Sequence, residues 1–275
     1  MNIVRVLGSV AVTLLLQACA SAPRVERSEP MLPLEWSKDD DATQIRRVAD
    51  REALAGVETV GLPTVEWTPN AIDPGVAKSQ SVLVVNRAAR DICHGLAPYF
   101  RLTEESADAT VHLRVLAIQP TSAGAAGLSE VVGFFVPGPF RIPAGLGGLA
   151  IDGELLRTGR PVVLLEWSQG ANPLTEGARI SAIGDAYQLA GDFADDFVDA
   201  VVAPGAGEDH RRRRLDKDFV EANKALCRKQ FGKANLAVAG ASFLIGLPPE
   251  AMDAGAPAGD DGDATAADRS GVTRR

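Results

Sequence analysis

The strongest structural signal in this chain is a pair of apolar stretches within residues 148–169, which read GLAIDGELLRTGRPVVLLEWSQ. The two stretches flank a short loop, Thr158-Gly159-Arg160, where glycine permits the positive φ that tight hairpin turns need. The segment therefore predicts a β-hairpin. Because an isolated hairpin is at best marginally stable in water, the rest of the chain must supply strands and helices that cover it.

Four further segments have the periodicity of regular structure. Residues 57–67 have strand composition, and residues 111–118 alternate between apolar and polar side chains. Residues 82–96 and 183–201 instead repeat apolar side chains at helical spacing. The order of these elements predicts an α/β fold: a two-layer sandwich with a mixed, mostly antiparallel sheet of about four or five strands, two main helices and a C-terminal helical extension.

The first predicted helix has a two-sided pattern. Its apolar stripe begins at Val82, includes Cys93 and ends at Leu96. Asn86 and Arg90 are expected on the opposite, solvent-facing side.

Composition divides the chain into five segments. An apolar N-terminus is followed by a stretch rich in Pro, Ser and charge, and an Ala-Pro-Gly-Ala-Gly sequence ends the periodic region. The predicted segments are a signal peptide (1–18), a lipidated tether (19–41), an α/β periplasmic domain (42–203), a helical extension (204–250) and a disordered tail (251–275).

The N-terminus has the pattern of a secretory signal followed by a lipid-attachment site. Residues 6–16 form an apolar core about half as long as a transmembrane helix. The sequence LQAC at 16–19 resembles the bacterial lipobox, which implies acylation of Cys19 and cleavage before it. Ala20 implies sorting to the outer membrane. We therefore expect a domain anchored in the outer membrane of a Gram-negative bacterium by two or three acyl chains and facing the periplasm.

Together these features resemble a family of uncharacterised proteobacterial lipoproteins that is known as a domain of unknown function. The resemblance rests on the lipobox, the strand VHLRVLAI, the loop VPGPFRIPAGLGGL and the hairpin IDGELLRTGRPVVLLEW, and it covers residues 57–203. It implies an envelope domain and brings no catalytic residues with it.

Charge and motifs exclude several classes of function. Loss of Arg5 with the signal peptide changes the formal net charge from −8 to −9, and so acidic a surface argues against nucleic acid as a partner. The glycine-rich residues 145–150 lack the strand-then-helix context of a dinucleotide site. His94, His112 and His210 lack the spacing of a metal site. We therefore expect no cofactor, no metal and no catalytic residues.

Three carboxylates on the predicted hairpin are the best candidates for chemistry. Asp152 and Glu154 share one strand face, and Glu166 is expected across the hairpin. Paired carboxylates can hydrolyse glycosides or bind calcium. The simpler interpretation, which we favour, is a solvated strand face.

Two cysteines remain when Cys19 is lipidated. Cys93 lies in the apolar stripe of the first predicted helix, and Cys227 borders the apolar side of the predicted C-terminal helix. In an oxidising compartment this pair can form a disulfide or remain as two separate buried thiols, and the sequence leaves both open.

Two further features are candidate interaction surfaces. The loop GFFVPGPFRIPAG carries three aromatic residues that form an exposed patch or, alternatively, cover the sheet: Phe134, Phe135 and Phe140. A compact cation cluster follows the domain and either binds lipid phosphates or is simply solvated: Arg211, Arg212, Arg213 and Arg214.

These observations favour a non-enzymatic outer-membrane lipoprotein, attached to the membrane at Cys19, whose periplasmic domain binds an envelope protein and acts in envelope organisation or assembly. One alternative is an accessory subunit of an envelope lipid or export transporter, a role that small α/β lipoproteins have. The other is an envelope hydrolase that uses Asp152, Glu154 and Glu166.

Overall fold

The fold is that of a computed structural model, which describes residues 21–27, 30, 32–121, 146–171, 181–203, 212–233 and 248–253. Several residues of the predicted anchor and interaction surfaces lie outside the described residues: Cys19, Phe134, Phe135, Phe140 and Arg211.

Seven strands and five helices make up the described part of the chain. The strands are β1 (Glu35–Asp39), β2 (Thr43–Ala49), β3 (Thr59–Trp67), β4 (Arg101–Thr103), β5 (Ala109–Gln119), β6 (Gly148–Arg157) and β7 (Arg160–Gly170). The helices are α1 (Arg51–Ala55), α2 (Lys78–Leu96), α3 (Gly184–Val202), α4 (Lys217–Phe231) and α5 (Pro249–Met252).

All seven strands belong to one mixed sheet, in the order β1-β2-β7-β6-β5-β3-β4. β3 runs parallel to β4 and β5, and every other neighbouring pair is antiparallel. The predicted α/β class and mixed sheet are confirmed. The predicted number of four or five strands is wrong, because β1, β2 and β4 were not expected.

These three strands lack the alternation that identifies a strand from sequence. All five residues of β1 are exposed, and β1 lies inside the predicted tether. β2 buries only Thr43 and Ile45, so it has too few apolar residues to show a period. β4 is three residues long. Each is defined by hydrogen bonds to its neighbours rather than by its own composition.

The predicted hairpin is formed by β6 and β7. Thr158 and Gly159 have positive φ values of 51° and 76°, and they connect the paired residues Arg157 and Arg160. A two-residue turn with positive φ at both positions matches the right-handed twist of the strands.

Helices α2 and α3 cover one face of the sheet and form the core with it. Trp167 of β7 meets Phe193 of α3 edge to face, with ring centroids 6.0 Å apart. Its indole N–H donates to Asp196 at 2.8 Å, so the buried polar group of this ring is satisfied. Gly153 of β6 lies beneath Phe197, where a Cβ would come within 2.6 Å of the ring. Glycine is therefore required at this close approach of helix and sheet.

Helix α2 buries part of the side that was expected in solvent. Val82 is 46% exposed, whereas Asn86 and Arg90 are buried. Asn86 donates to the carbonyl of Phe231 at 3.0 Å, and Arg90 lies 2.7 Å from Asp253. Both partners belong to the part of the chain after α3, which therefore packs on α2 and covers its polar side.

The segment at α5 is held by polar contacts to the main helices. The Tyr187 hydroxyl donates to Asp253 at 2.6 Å, and the Gln80 amide donates to Glu250 at 2.6 Å. Asp253 is only 2% exposed. Residues 251–253 of the predicted disordered tail thus belong to the folded domain.

The two cysteines beyond the predicted anchor are joined. Cys93 of α2 and Cys227 of α4 form a disulfide across a sequence separation of 134 residues. Beside it, Asn223 of α4 donates to the carbonyls of Ala97 and Phe100 at 2.8 and 2.7 Å. Of the two states that the sequence left open, the structure has the bridge, which attaches the helical extension to the α/β domain.

We predict that the paired substitution Cys93→Ser/Cys227→Ser lowers the free energy of unfolding by about 2–5 kcal/mol, because the bridge restricts a long loop in the unfolded chain. Urea denaturation with and without reductant measures this. Reductant should destabilise the parent chain and leave the double variant unchanged. Equal stability of the reduced and oxidised parent would contradict the prediction.

Candidate functional site

Charged side chains form one row across the second face of the sheet, the face opposite α2 and α3. Each member is the register partner of the next, across five adjacent strands. From β2 to β3 the row consists of Arg46, Glu166, Asp152, Arg114 and Glu66. We call these five residues the charge row.

The two carboxylates at the centre of the charge row are buried. Asp152 is 0% exposed and Glu166 is 4% exposed. The solvated strand face that the sequence favoured is therefore wrong for both. Burying an ionised carboxylate is costly unless it is paired and hydrogen-bonded, so the surrounding cations determine whether this arrangement is tolerated.

Three arginines neutralise this pair of carboxylates. The Arg46 Nε donates to Glu166 at 2.8 Å, and a terminal nitrogen of Arg114 donates to Asp152 at 2.9 Å. The Arg27 Nε donates to Asp152 at 2.9 Å and lies 3.8 Å from Glu166. Arg27 therefore sits between two like charges that would otherwise repel each other across the strands.

Asp152 raises the pKa of the Arg114 guanidinium. Burial alone would lower the pKa of Arg114, but the hydrogen bond and the charge of Asp152, with smaller contributions from Glu154 and Glu66, raise the pKa above its ordinary value. Among the described residues, none is a hydrogen-bond partner of the buried Arg114 Nε.

Residues 21–27, which we call the N-terminal strap, lie on the second face of the sheet. The Ala22 amide donates to the carbonyl of Asp41 at 2.8 Å. The buried Ser168 hydroxyl donates to the carbonyl of Pro23 at 2.7 Å. With Arg27 on the charge row, the strap is attached at three places. This part of the predicted tether is therefore packed on the domain.

A cleft of about 280 Å³ opens beside the strap. Its walls include Trp36, which is 53% exposed, with the Arg46 guanidinium 5.2 Å from the centre of its ring. The other lining residues are Val25, Arg27, Gln44 and Glu166. Both arginines of this cleft already bind carboxylates of the charge row.

Glu154 differs from the other two hairpin carboxylates because it is part-exposed. It lies 3.6 Å from the Nδ1 of His112, whose Nε2 lies 3.4 Å from Glu66. Within the described ranges, no group of three or more His, Cys, Asp or Glu side chains could hold a metal ion.

The predicted cation cluster is divided by the fold. Arg212 donates to the carbonyls of Tyr99, at 3.1 Å, and Val57, and its guanidinium lies 4.2 Å from the centre of the Phe100 ring. Burial lowers the pKa of Arg212, and Glu58 opposes this shift. Arg212 therefore has a structural role, with two of its nitrogens bonded to carbonyls of the domain.

The two described neighbours of Arg212 remain at the surface. Arg213 and Arg214 are exposed, and the Arg214 guanidinium lies 5.8 Å from the centre of the Tyr99 ring. They are the described part of the predicted cation cluster that can still meet an anion.

The chemistry of the charge row is ion pairing. The fold brings the three predicted carboxylates to one face, but Asp152 and Glu166 accept hydrogen bonds from arginines, whereas a general acid must hold a proton to donate. Sequence reasoning missed Arg27 and Arg46. Arg46 could have been found had β2 been recognised, whereas Arg27 lies 125 residues from Asp152 and has no local signal.

Comparisons with known proteins give one family and a distant structural likeness. A family model described as "Protein of unknown function (DUF3313)" matches residues 34–197. No curated protein matches the chain. Two solved structures of PelC dodecamers from Paraburkholderia phytofirmans, one of them a single-substitution variant, are each 12% identical. The match to the variant covers 59% of this chain and 95% of the PelC chain, with a TM-score of 0.30. The match to the other structure covers 54% of this chain and 93% of the PelC chain, with a TM-score of 0.31.

Among the helices of the described ranges, none combines the length and the apolar character that crossing a bilayer requires.

We predict that Asp152→Ala lowers the free energy of unfolding by about 3–5 kcal/mol, because it removes the buried counter-charge of Arg114 and the hydrogen-bonded carboxylate partner of Arg27, which then keeps Glu166 at 3.8 Å. Glu154→Ala is the matched control, since Glu154 lies two positions along the same strand face and is part-exposed. Its loss should cost less than about 1 kcal/mol. Urea denaturation of both variants measures the difference, and equal losses would show that the charge row is not the buried network described above.

Proposed function

This chain belongs to the DUF3313 family of proteins of unknown function, and we propose that it is a non-enzymatic outer-membrane lipoprotein. In this proposal Cys19 carries the lipid anchor, and the folded domain faces the periplasm and binds an envelope protein in the organisation or assembly of the cell envelope.

The observation that carries the proposal is the pairing of the cysteines. Structural disulfides form and persist in oxidising compartments such as the periplasm. The chain has three cysteines, and Cys93 and Cys227 are bonded to each other. The remaining cysteine is the one in the LQAC motif, at the position that a lipobox acylates. Export to the periplasm thus accounts for the bridge between Cys93 and Cys227, and acylation accounts for Cys19.

The charge row supports a binding role over the alternative of a carboxylate-dependent hydrolase. Two of the three carboxylates that a hydrolase would use, Asp152 and Glu166, are buried under the strap and occupied by arginines. An acid–base pair needs one protonated group and access to substrate.

The described residues on either side of the aromatic segment lie beside the strap. Phe134, Phe135 and Phe140 are outside the described residues, but Gln119 before them pairs with Gly148 after them at one end of the sheet. A Cβ added to Gly148 would lie 3.0 Å from Pro23 of the strap. This proximity to the strap supports a partner site close to the proposed anchor.

We predict that the exported, membrane-extracted chain has no free thiol when it is denatured without reductant, because Cys19 is acylated and the other two cysteines are bridged. Ellman titration together with the mass of the N-terminal peptide measures this. One free thiol would indicate a bridged chain without acylation, two an acylated chain without the bridge, and three a chain with neither. The control replaces residues 1–19 with an ordinary secretory signal that is cleaved without acylation, because Cys19→Ala would also block cleavage at the lipobox and leave the apolar signal attached. The control chain should be found in the soluble fraction, and a control that stays membrane-bound would contradict the anchor.

We also predict that a photo-crosslinking residue in place of Phe135 or Phe140 captures one envelope protein from the anchored chain and not from the unanchored control in which an ordinary secretory signal replaces residues 1–19. The same probe in place of Val82, an exposed apolar residue on α2, is the matched control. Capture of a membrane-spanning transport subunit would favour the accessory-subunit alternative. Equal capture at Val82, or none from a folded chain, would contradict a partner site at this loop.

A further inference from the structure

The N-terminal strap has a consequence for how the domain meets the bilayer. This inference rests on the proposed anchor at Cys19. We propose that the strap and the short chain before it form a linker of fixed length between Cys19 and the sheet, which we call the lead. The lead holds one end of the sheet against the membrane. This membrane-proximal end consists of the start of β6, the end of β7 and the turn between β1 and β2. The opposite end, at the turn between β6 and β7, points away from the bilayer.

The strap is attached to the sheet at its first residues. Ala22, whose amide donates to the Asp41 carbonyl, is 5% exposed. Pro23 accepts from the buried Ser168 hydroxyl and packs against Gly148. Four residues later, Arg27 binds Asp152. The chain therefore becomes part of the fold at Ala22, three residues after the anchor position.

Covalent geometry then limits the distance from the anchor to the domain. Three peptide units separate Cys19 from Ala22, and they span at most about 11 Å. A flexible tether over the predicted residues 19–41 would instead have an end-to-end distance of about 26 Å. The short lead fixes which end of the sheet lies at the membrane, whereas the long tether would let the domain tumble.

The two ends of the sheet are far enough apart to be distinguished. Asp39 of β1 pairs with Gln44, which pairs with Ser168, so Asp39 lies at the level of the strap's first contacts. Arg160 lies eight residues from Ser168 along β7. At the usual rise of a strand, the two levels differ by about 27 Å.

Charge attraction to lipid does not provide this orientation. The last residue of β1 and the turn that follows it carry three consecutive acidic residues at the membrane-proximal end: Asp39, Asp40 and Asp41. Lipid phosphates would repel this turn. The orientation therefore comes from the covalent lead and should be insensitive to salt.

The test attaches the lipid chemically, so it does not depend on acylation in a cell. In the oxidised chain of residues 19–275, Cys93 and Cys227 are bonded, which leaves the Cys19 thiol to react with a maleimide phospholipid in phosphatidylcholine vesicles. A fluorophore is placed by an unnatural amino acid at Asp39 in one sample and at Arg160 in another. Energy transfer to an acceptor lipid in the vesicle reports the height of each position above the bilayer.

We expect several-fold greater energy transfer from position 39 than from position 160, unchanged between low and high salt. A flexible Gly-Ser insert of 20 residues between Ala20 and Ser21 is the control. It leaves every strap contact in place and has a reach of about 25 Å, so it should remove most of the difference. Equal transfer from the two positions without the insert, or an asymmetry that survives the insert, would overturn the proposal.

The outcome separates this inference from the proposed function. If the chemically lipidated protein shows equal energy transfer from positions 39 and 160, the proposal of a fixed lead is overturned, whereas the proposed anchor at Cys19 is not affected. Free Cys19 in the exported chain would overturn the anchor while the geometry of the strap could still hold.

Discussion

The packing of this sheet depends on neutralising two carboxylates at its centre. Asp152 and Glu166 are register partners, so folding brings two like charges together and removes them from water. The neighbouring strands supply one arginine each, Arg114 and Arg46, and the third, Arg27, comes from the N-terminal strap. The strap therefore completes the sheet electrostatically although it contributes no strand.

The same kind of interaction holds residues 248–253, the last described segment. Arg90 of α2 is buried against Asp253, and Tyr187 of α3 donates to that carboxylate. Leaving one partner of a buried ion pair without the other costs several kcal/mol, so each terminal segment has a preferred place where its charge is satisfied. Together with the bridge between α2 and α4, these ion pairs attach the N-terminal strap and the described segments after α3 to the α/β domain.

Features that depend on neighbouring residues were predictable, and those that depend on distant ones were not. The turn glycine identified the β6–β7 hairpin, and the helical period identified α2 and α3. The burial of Asn86 depends on a carbonyl 145 residues away, and that of Asp152 on an arginine 125 residues away. No local pattern encodes such pairs. The three carboxylates were correctly expected on the hairpin, yet the burial of Asp152 and Glu166 involves a strap whose composition is that of a linker.

Because the strap combines two roles, substitutions within it do not distinguish them. Replacing Arg27 removes a counter-charge of Asp152 and also loosens the lead to Cys19, so loss of stability and loss of orientation would occur together. An insertion before Ser21 separates the roles, since it lengthens the lead while the contacts of Pro23 and Arg27 remain. If the domain has to present a particular end to a partner at the membrane, that insertion should abolish partner capture without changing the free energy of unfolding.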